Sequence, residues 1–335
     1  MARIAILGAG SWGTALAVHL ARVGHDVHLW SRDAVLAAEL ARLRVNHAYL
    51  PEIVLPERVS PGESLPRALH HAAIVVAAVP SHGCRAVMRA AAAHLPHTST
   101  LVSASKGLEA GTLLRMSEVI ASEVGPRHPV VVLSGPSFAI EVAHERPTAV
   151  LAASVDATAT EQVQLEFRGP QFRLYGSADV IGVELAGALK NVIAIAAGVV
   201  EGLGLGHNAQ AALITRGLAE ISRLACAAGG RRETPAGLSG LGDLVLTCTG
   251  SLSRNRRVGI ELARGHSLAE VLAGMKMVAE GVNTTASALA LGARHGVELP
   301  IATQMAAVLE GRCDVRTAVE ALMLRPQRTE MEAVN

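Results

Sequence analysis

Aromatic side chains are scarce in this chain. Three Phe, two Trp and two Tyr make up 2% of 335 residues, too few to build the rows of rings on which single-stranded nucleic acid stacks. Charge of one sign is lacking as well. Thirty Lys and Arg face 29 Asp and Glu, for a net charge of +1, so there is no broad field to hold a polyanion or an anionic membrane surface. Cys84, Cys226, Cys248 and Cys313 are scattered without CxxC or other ligand spacing; they read as reduced, mostly buried small residues rather than a disulfide framework. The most apolar late run, residues 192–200, is too short to span a bilayer, and the N-terminus opens on an apolar strand instead of a cleavable leader. A cytoplasmic protein without membrane insertion is expected. Fourteen histidines are present, but His70-His71 and His94/His97 have no acidic or thiol partners at useful spacing, so no metal site is expected.

What remains is a chain half apolar and rich in Ala and Gly, long enough for two domains with sizeable cores. Its first 32 residues organise the rest. Arg3-Ile-Ala-Ile-Leu7 reads as a buried strand, Gly8-Ala-Gly10-Ser11-Trp12-Gly13 as a tight turn, residues 14–23 as an Ala/Leu helix, and Asp26-Val-His-Leu-Trp30 as a second strand. A GxGxxG between a strand and a helix is the dinucleotide-binding fingerprint. Gly8 permits the turn, Gly10 lets the backbone approach a pyrophosphate, Gly13 lets the helix pack closely on the strand, and the helix N-terminus faces the phosphates.

The end of the second strand selects the cofactor. An acidic residue about 20 positions past the glycines binds the ribose 2′-hydroxyl, whereas an Arg nearby accommodates a 2′-phosphate. Here Ser31 and Arg32 follow Trp30, which favours NADP(H). A longer strand would instead bring Asp33 to the NAD-selecting position, so NAD(H) use stays open.

Strand-like runs recur at 73–79, 100–104, 130–133, 148–152 and 171–175, with amphipathic helical stretches at 112–124 and 156–167. Such alternation means βαβ units and a doubly wound, mainly parallel sheet. Ligands bind beyond the carboxyl ends of such strands, and three of these ends carry polar residues: Val79-Pro-Ser-His82, Ser103-Ala-Ser-Lys106-Gly107 and Ser134-Gly135-Pro-Ser137-Phe-Ala139. After Gly176 the pattern turns wholly helical. The expected architecture is an α/β Rossmann domain over 1–177 and an all-α domain over 178–335, ending in a polar, frayed tail after Arg325.

Three stretches of the second half can carry chemistry. Gly187-Ala-Leu-Lys190-Asn191 places a lysine in an otherwise apolar helix. That lysine either snorkels to solvent or forms a structural ion pair with Glu184, or it acts as a general base, its proton affinity lowered by desolvation and a second cation such as Lys106. Asp243, in the Gly-rich stretch Leu238-Ser-Gly-Leu-Gly-Asp243, either caps a helix or faces Lys190. Ser253-Arg254-Asn255-Arg256-Arg257 puts cations at a helix start, against the macrodipole. One phosphate held by backbone N–H groups and arginine would account for all three arginines; a solvated basic patch is the alternative.

Together with Ser105-Lys-Gly-Leu-Glu109 and Gly240-Leu-Gly-Asp-Leu244, these motifs run essentially from end to end, and the chain resembles the bacterial NAD(P)-dependent glycerol-3-phosphate dehydrogenases. The resemblance implies reversible reduction of dihydroxyacetone phosphate to sn-glycerol 3-phosphate for phospholipid synthesis. It makes Lys190 the proton acceptor in oxidation, and assigns substrate binding to Lys106, Gly135, Ser137, Lys190, Asp243, Ser253, Arg254 and Asn255. Asn191 and Thr247 would support the catalytic centre. Ser11, Trp12, Arg32, Tyr49, Lys106, Ala139, Arg254, Val278 and Glu280 would line the cofactor, and a homodimer is implied. Two other readings stay open: a 3-hydroxyacid-type dehydrogenase of the same architecture, and a non-catalytic NADPH-binding sensor.

Overall fold

In the computed structural model, which describes residues 1–275, 277–327 and 329–330, β1 (Arg3–Leu7), α1 (Ser11–Arg22) and β2 (Asp26–Trp30) form the opening βαβ unit. After α2 (Ala34–Leu43), β3 (Val45–Asn46) and β4 (Leu50–Val54) make a small antiparallel hairpin, and β5 (Val59–Gly62) joins the main sheet beside β2. Then follow α3 (Leu65–Leu69), β6 (Ile74–Ala77), α4 (Ser81–Ala92), β7 (Thr100–Ser103), α5 (Met116–Val124), β8 (Val130–Ser134), α6 (Ala139–Ala143), β9 (Thr148–Ala153), α7 (Ala157–Phe167) and β10 (Phe172–Ser177). The eight strands lie in the order β10-β9-β8-β7-β6-β1-β2-β5. From β1 the chain steps outward through β2 and β5, then returns to β6 on the other side of β1. That reversal opens the crevice at which ligands bind in such sheets.

Both faces of the sheet are covered, as the continuous apolar strands require. Ile4 and Ile6 pack into one layer with Leu16 and Leu20 of α1, while Ala5 and Leu7 face the layer holding Met88 of α4 and Ile120 of α5. The expected mainly parallel sheet is present, with one antiparallel pair, β8 with β9. The link between them contains only the five-residue α6, which packs on α1 and does not form the full crossover that a parallel return uses. The hairpin and β5 lacked a strand-like pattern because they are short and contain Pro51 and Pro61; Pro61 is tolerated because β5 lies at the sheet edge.

The helical part begins at α8 (Val180–Gly202), followed by α9 (Gly206–Ala227), a π-helical turn at Leu238–Gly242, α10 (Asp243–Thr249), α11 (Arg254–Ala263), α12 (Leu268–Ala273), α13 (Glu280–Arg294), α14 (Pro300–Leu309) and α15 (Val315–Met323). The run at 192–200 belongs to a 23-residue helix, α8, so the length argument against a membrane span does not hold. Burial decides instead: 89% of its apolar window lies inside the protein, packed by α9, α10, α11 and α13. The crossing with α11 is backbone-close, since a Cβ on Gly198 would meet the Arg256 carbonyl and one on Gly259 the Ile195 carbonyl. This contact brings the start of α11 against the middle of α8. Cys84 and Cys248 are buried, Cys313 is half-buried and Cys226 is exposed; all four are free thiols. Of the tail, residues 328 and 331–335 lie outside the described residues.

Candidate active site

Beyond β1, Gly8 adopts φ +121°, in the region that favours glycine. A Cβ there would meet Ala78, and one on Gly13 would run into the Gly8 carbonyl, so both glycines answer to packing. Gly10 does not: a Cβ there would meet nothing within 4 Å. Open space above this backbone, at the N-terminus of a 12-residue helix with no side-chain cap, fits a pyrophosphate. β2 ends at Trp30, and Asp33 caps α2 by accepting from Val35 N at 2.9 Å and Leu36 N at 3.2 Å. Asp33 is thus engaged locally, while Arg32 is exposed. Ser11 Oγ donates to the Tyr49 carbonyl at 2.8 Å, drawing the β3–β4 hairpin to the start of α1. Trp12, Ala139 and Val278 are half-buried.

The polar ends of β6, β7 and β8 are neighbours, as the parallel register of these strands demands. At the first, Glu280 of α13 accepts from Ser81 N at 3.1 Å and Ser81 Oγ at 2.5 Å, joining the helical part to the start of α4. At the second and third, Lys106 Nζ donates to the Gly135 carbonyl at 3.0 Å, and Ser137 Oγ donates to the same carbonyl at 3.0 Å. Gly135 makes the turn with φ +129°. Gly187 lets α8 pass alongside, because a Cβ there would press on Ser134 Oγ at 2.9 Å and approach the Lys106 stem at 3.8 Å.

Here the two halves meet over one carboxylate. Asp243 is 1% exposed; its Oδ1 accepts from Lys190 Nζ at 2.7 Å and its Oδ2 from Lys106 Nζ at 2.5 Å. Lys190 Nζ also donates to Thr247 Oγ1 at 2.6 Å, whose own proton goes to the Asp243 carbonyl at 2.6 Å. The Gly-rich segment had suggested a capping Asp as the plain alternative, but the carboxylate serves the lysines. Burial lowers the Lys190 pKa to about 8, with the Lys106 charge acting in the same direction and Asp243 opposing both. Asp243 and Thr247 accept two N–H groups of Lys190. In the neutral amine those are the only two, so its lone pair occupies a remaining direction, as a general base requires.

Glu184 does not pair with Lys190. It lies 4% exposed in its side chain and accepts from Arg115 Nη1 at 2.7 Å, Ser117 N at 2.8 Å and Ser117 Oγ at 2.5 Å, tying α8 to the start of α5. The basic first turn of α11 also divides its labour. Arg256 forks onto Glu201 at 2.6 and 2.5 Å, so one phosphate does not account for all three arginines. Ser253 Oγ caps Arg256 N at 3.2 Å. Asn255 donates to Asn191 Oδ1 at 2.9 Å and accepts from Gly281 N at 2.9 Å, linking α8, α11 and α13. The Arg254 side chain makes no hydrogen bond or close ion pair among the described residues; desolvation lowers its pKa, and the Glu280 carboxylate opposes that shift. Arg115 and Asn46 were missed from the sequence because their partners are distant along the chain and no local pattern marks them; Ser81 lies in the polar end Val79-Pro-Ser-His82, but its partner Glu280 is 199 residues away.

A dinucleotide cradle at the carboxyl end of a parallel sheet, in a chain that also buries a lysine of lowered pKa between the two halves, is the arrangement of a two-domain pyridine-nucleotide dehydrogenase. Residues 3–160 match the family described as NAD-dependent glycerol-3-phosphate dehydrogenase N-terminus, and residues 179–320 match its C-terminus. The chain belongs to this family. It is 55% identical over 284 residues, 84% of each chain, to glycerol-3-phosphate dehydrogenase [NAD(P)+] of Koribacter versatilis. To the enzyme of that name from Acidobacterium capsulatum it is 52% identical, across 98% of this chain and 100% of the other. The crystal structure of glycerol-3-phosphate dehydrogenase from Coxiella burnetii superimposes with a TM-score of 0.93 at 42% identity, covering 97% of this chain and 99% of that one.

Proposed function

We propose that the protein reduces dihydroxyacetone phosphate to sn-glycerol 3-phosphate reversibly, with NADPH favoured and NADH accepted. The observation that carries the chemistry is the carboxylate of Asp243 held between Lys106 and Lys190. The nicotinamide supplies or takes the hydride. In oxidation, neutral Lys190 accepts the C2-hydroxyl proton; in reduction, its ammonium returns that proton while Lys106 stabilises the developing negative charge on oxygen. Asp243 and Thr247 hold Lys190 in place, and Asn191 fixes the start of α11 through Asn255. Two ammonium groups against one carboxylate leave the cluster net positive, while the Arg254 charge is opposed by that of Glu280. This charge balance supports a phosphate-bearing substrate, with Gly135, Ser137, Ser253 and Asn255 shaping its site.

The glycine turn, Ser11, Trp12, Tyr49, Ala139, Val278 and Glu280 form the cofactor wall. Arg32, with Asp33 committed to its cap, supports the preference for the 2′-phosphate. The boundary falls at 177/178, where the last strand ends and the core becomes helical, and the enzyme works as a cytoplasmic homodimer supplying phospholipid synthesis. The test is the loss of NADPH absorbance with dihydroxyacetone phosphate, run beside unphosphorylated dihydroxyacetone and beside NADH. Rapid oxidation that requires the phosphate is expected. NADPH that binds without being oxidised on this ketone would sink the substrate assignment and the roles of Lys190 and Arg254.

A further inference from the structure

Asn46, the last residue of β3, is 0% exposed, and its carboxamide is engaged at both ends. Nδ2 donates to the Ala9 carbonyl at 2.9 Å and to Thr14 Oγ1 at 2.8 Å, and Oδ1 accepts from Tyr49 N at 3.2 Å. Thr14 Oγ1 directs its own proton to the Ala9 carbonyl at 3.4 Å, so the two side chains grip one peptide oxygen between Gly8 and Gly10. On the far side of the hairpin, Arg44 spans the carbonyls of Leu55, Pro56 and Val59, fixing the base from which Asn46 projects.

In a planar trans peptide the C=O and N–H point in opposite directions. Holding the Ala9 oxygen toward buried Asn46 therefore turns the Gly10 N–H away from the interior, on the backbone whose side-chain position is open space. The Tyr49 segment, whose N–H is shared between the Asn46 carboxamide oxygen and the Asn46 backbone carbonyl at 3.2 Å each, supplies the carbonyl to which Ser11 donates. We infer that Asn46 is a positioning residue for the dinucleotide phosphates, setting the Ala9–Gly10 peptide and the Tyr49 backbone before the cofactor arrives. The inference rests on the dinucleotide lying along the Gly8–Gly13 turn.

The test compares Asn46→Asp with Asn46→Ala, reading NADPH affinity by fluorescence titration and amide hydrogen exchange of the turn in unliganded protein. In Asn46→Asp one carboxylate oxygen keeps the Tyr49 N–H while the other faces the Ala9 carbonyl, acceptor against acceptor. The NADPH dissociation constant should rise ~10-fold at pH 8, the scale of one lost interior hydrogen bond. It should recover below about pH 6, where the buried carboxyl takes up a proton and becomes a donor again. Asn46→Ala should show the loss without the recovery, the turn amides should exchange faster in both, and KM for dihydroxyacetone phosphate at saturating NADPH should stay unchanged. Thr14→Val, which removes the second grip with little change of shape, should weaken NADPH in the same sense even if the Asn46 variants fold poorly. Normal NADPH affinity in a folded variant, or equal losses for both substrates, overturns the role of Asn46 alone. Wild-type protein that binds no dinucleotide overturns the reading of the turn and this inference with it.

Discussion

Replacing Asp243 by Asn keeps the shape of the buried side chain and removes its charge. The carboxylate oxygen lies 2.7 Å from Lys190 Nζ, where the Coulomb energy is about 6 kcal/mol at an effective dielectric of ~20. That figure is a ceiling, because the amide dipole and local relaxation recover part of it; a close opposite charge moves a pKa by about 1–3 units in practice. The ammonium of Lys190 should then lose a proton near pH ~5–7 instead of about 8, a change of about 1.4–4 kcal/mol. The sign follows from the reaction. In the proposed mechanism ketone reduction needs the protonated lysine, so its rate falls as pH rises through this pKa, and the falling limb should move towards acid by the same ~1–3 units. The assay is kcat for dihydroxyacetone phosphate reduction from pH 5 to 9 at saturating NADPH. Lys106→Met supplies the opposite sign: it removes a cation that lowers the Lys190 pKa, and its limb should move towards alkali. An Asp243→Asn profile with reduced amplitude and an unmoved inflection would refute the electrostatic account and leave Asp243 a purely geometric part.

Four further outcomes are expected. Lys190→Ala should lower kcat by about 10²–10⁴-fold while the NADPH dissociation constant, read by fluorescence, changes little; near-normal turnover would take Lys190 out of the chemistry. Arg32→Ala should raise KM for NADPH much more than for NADH, whereas equal losses would mean that the backbone sets the preference. Gly10→Ala should leave the unfolding free energy unchanged or raise it by at most about 1 kcal/mol, and abolish NADPH binding. Gly13→Ala should destabilise the unliganded protein, since its Cβ has the Gly8 carbonyl in its way; a Gly13→Ala variant as stable as the wild type would contradict that packing.

Much of this arrangement is legible along the chain because it is local. Gly8, Gly10 and Gly13 are read from steric need within six residues, and Lys190 stands out as a charge in an apolar helix. Distance hides the rest. Asp243 is 53 residues from Lys190, and only the π-helical turn before α10 aims it inward; the same letters are compatible with an ordinary cap. Arg256 looks identical to Arg254 in the sequence, and what separates them is Glu201 on another helix. Asn46 resembles any loop asparagine until the fold brings Ala9, 37 residues away, against it. The edge strand β5 is hidden for the opposite reason: its stability comes from β2, so its own residues need no strand pattern.

The bridge from Lys106 to Asp243 is also a seam. With the clasps from Arg115 to Glu184 and from Ser81 to Glu280, it stitches the Rossmann half to the helical half through the reactive centre itself. Each half therefore supplies one side of every one of these links. A hybrid taking residues 178–335 from a distant relative inherits Lys190, Asp243 and Glu184, but Lys106, which pairs with Asp243, and Arg115, which pairs with Glu184, remain with the host. Such chimeras inherit turnover only when both edges of the seam travel together.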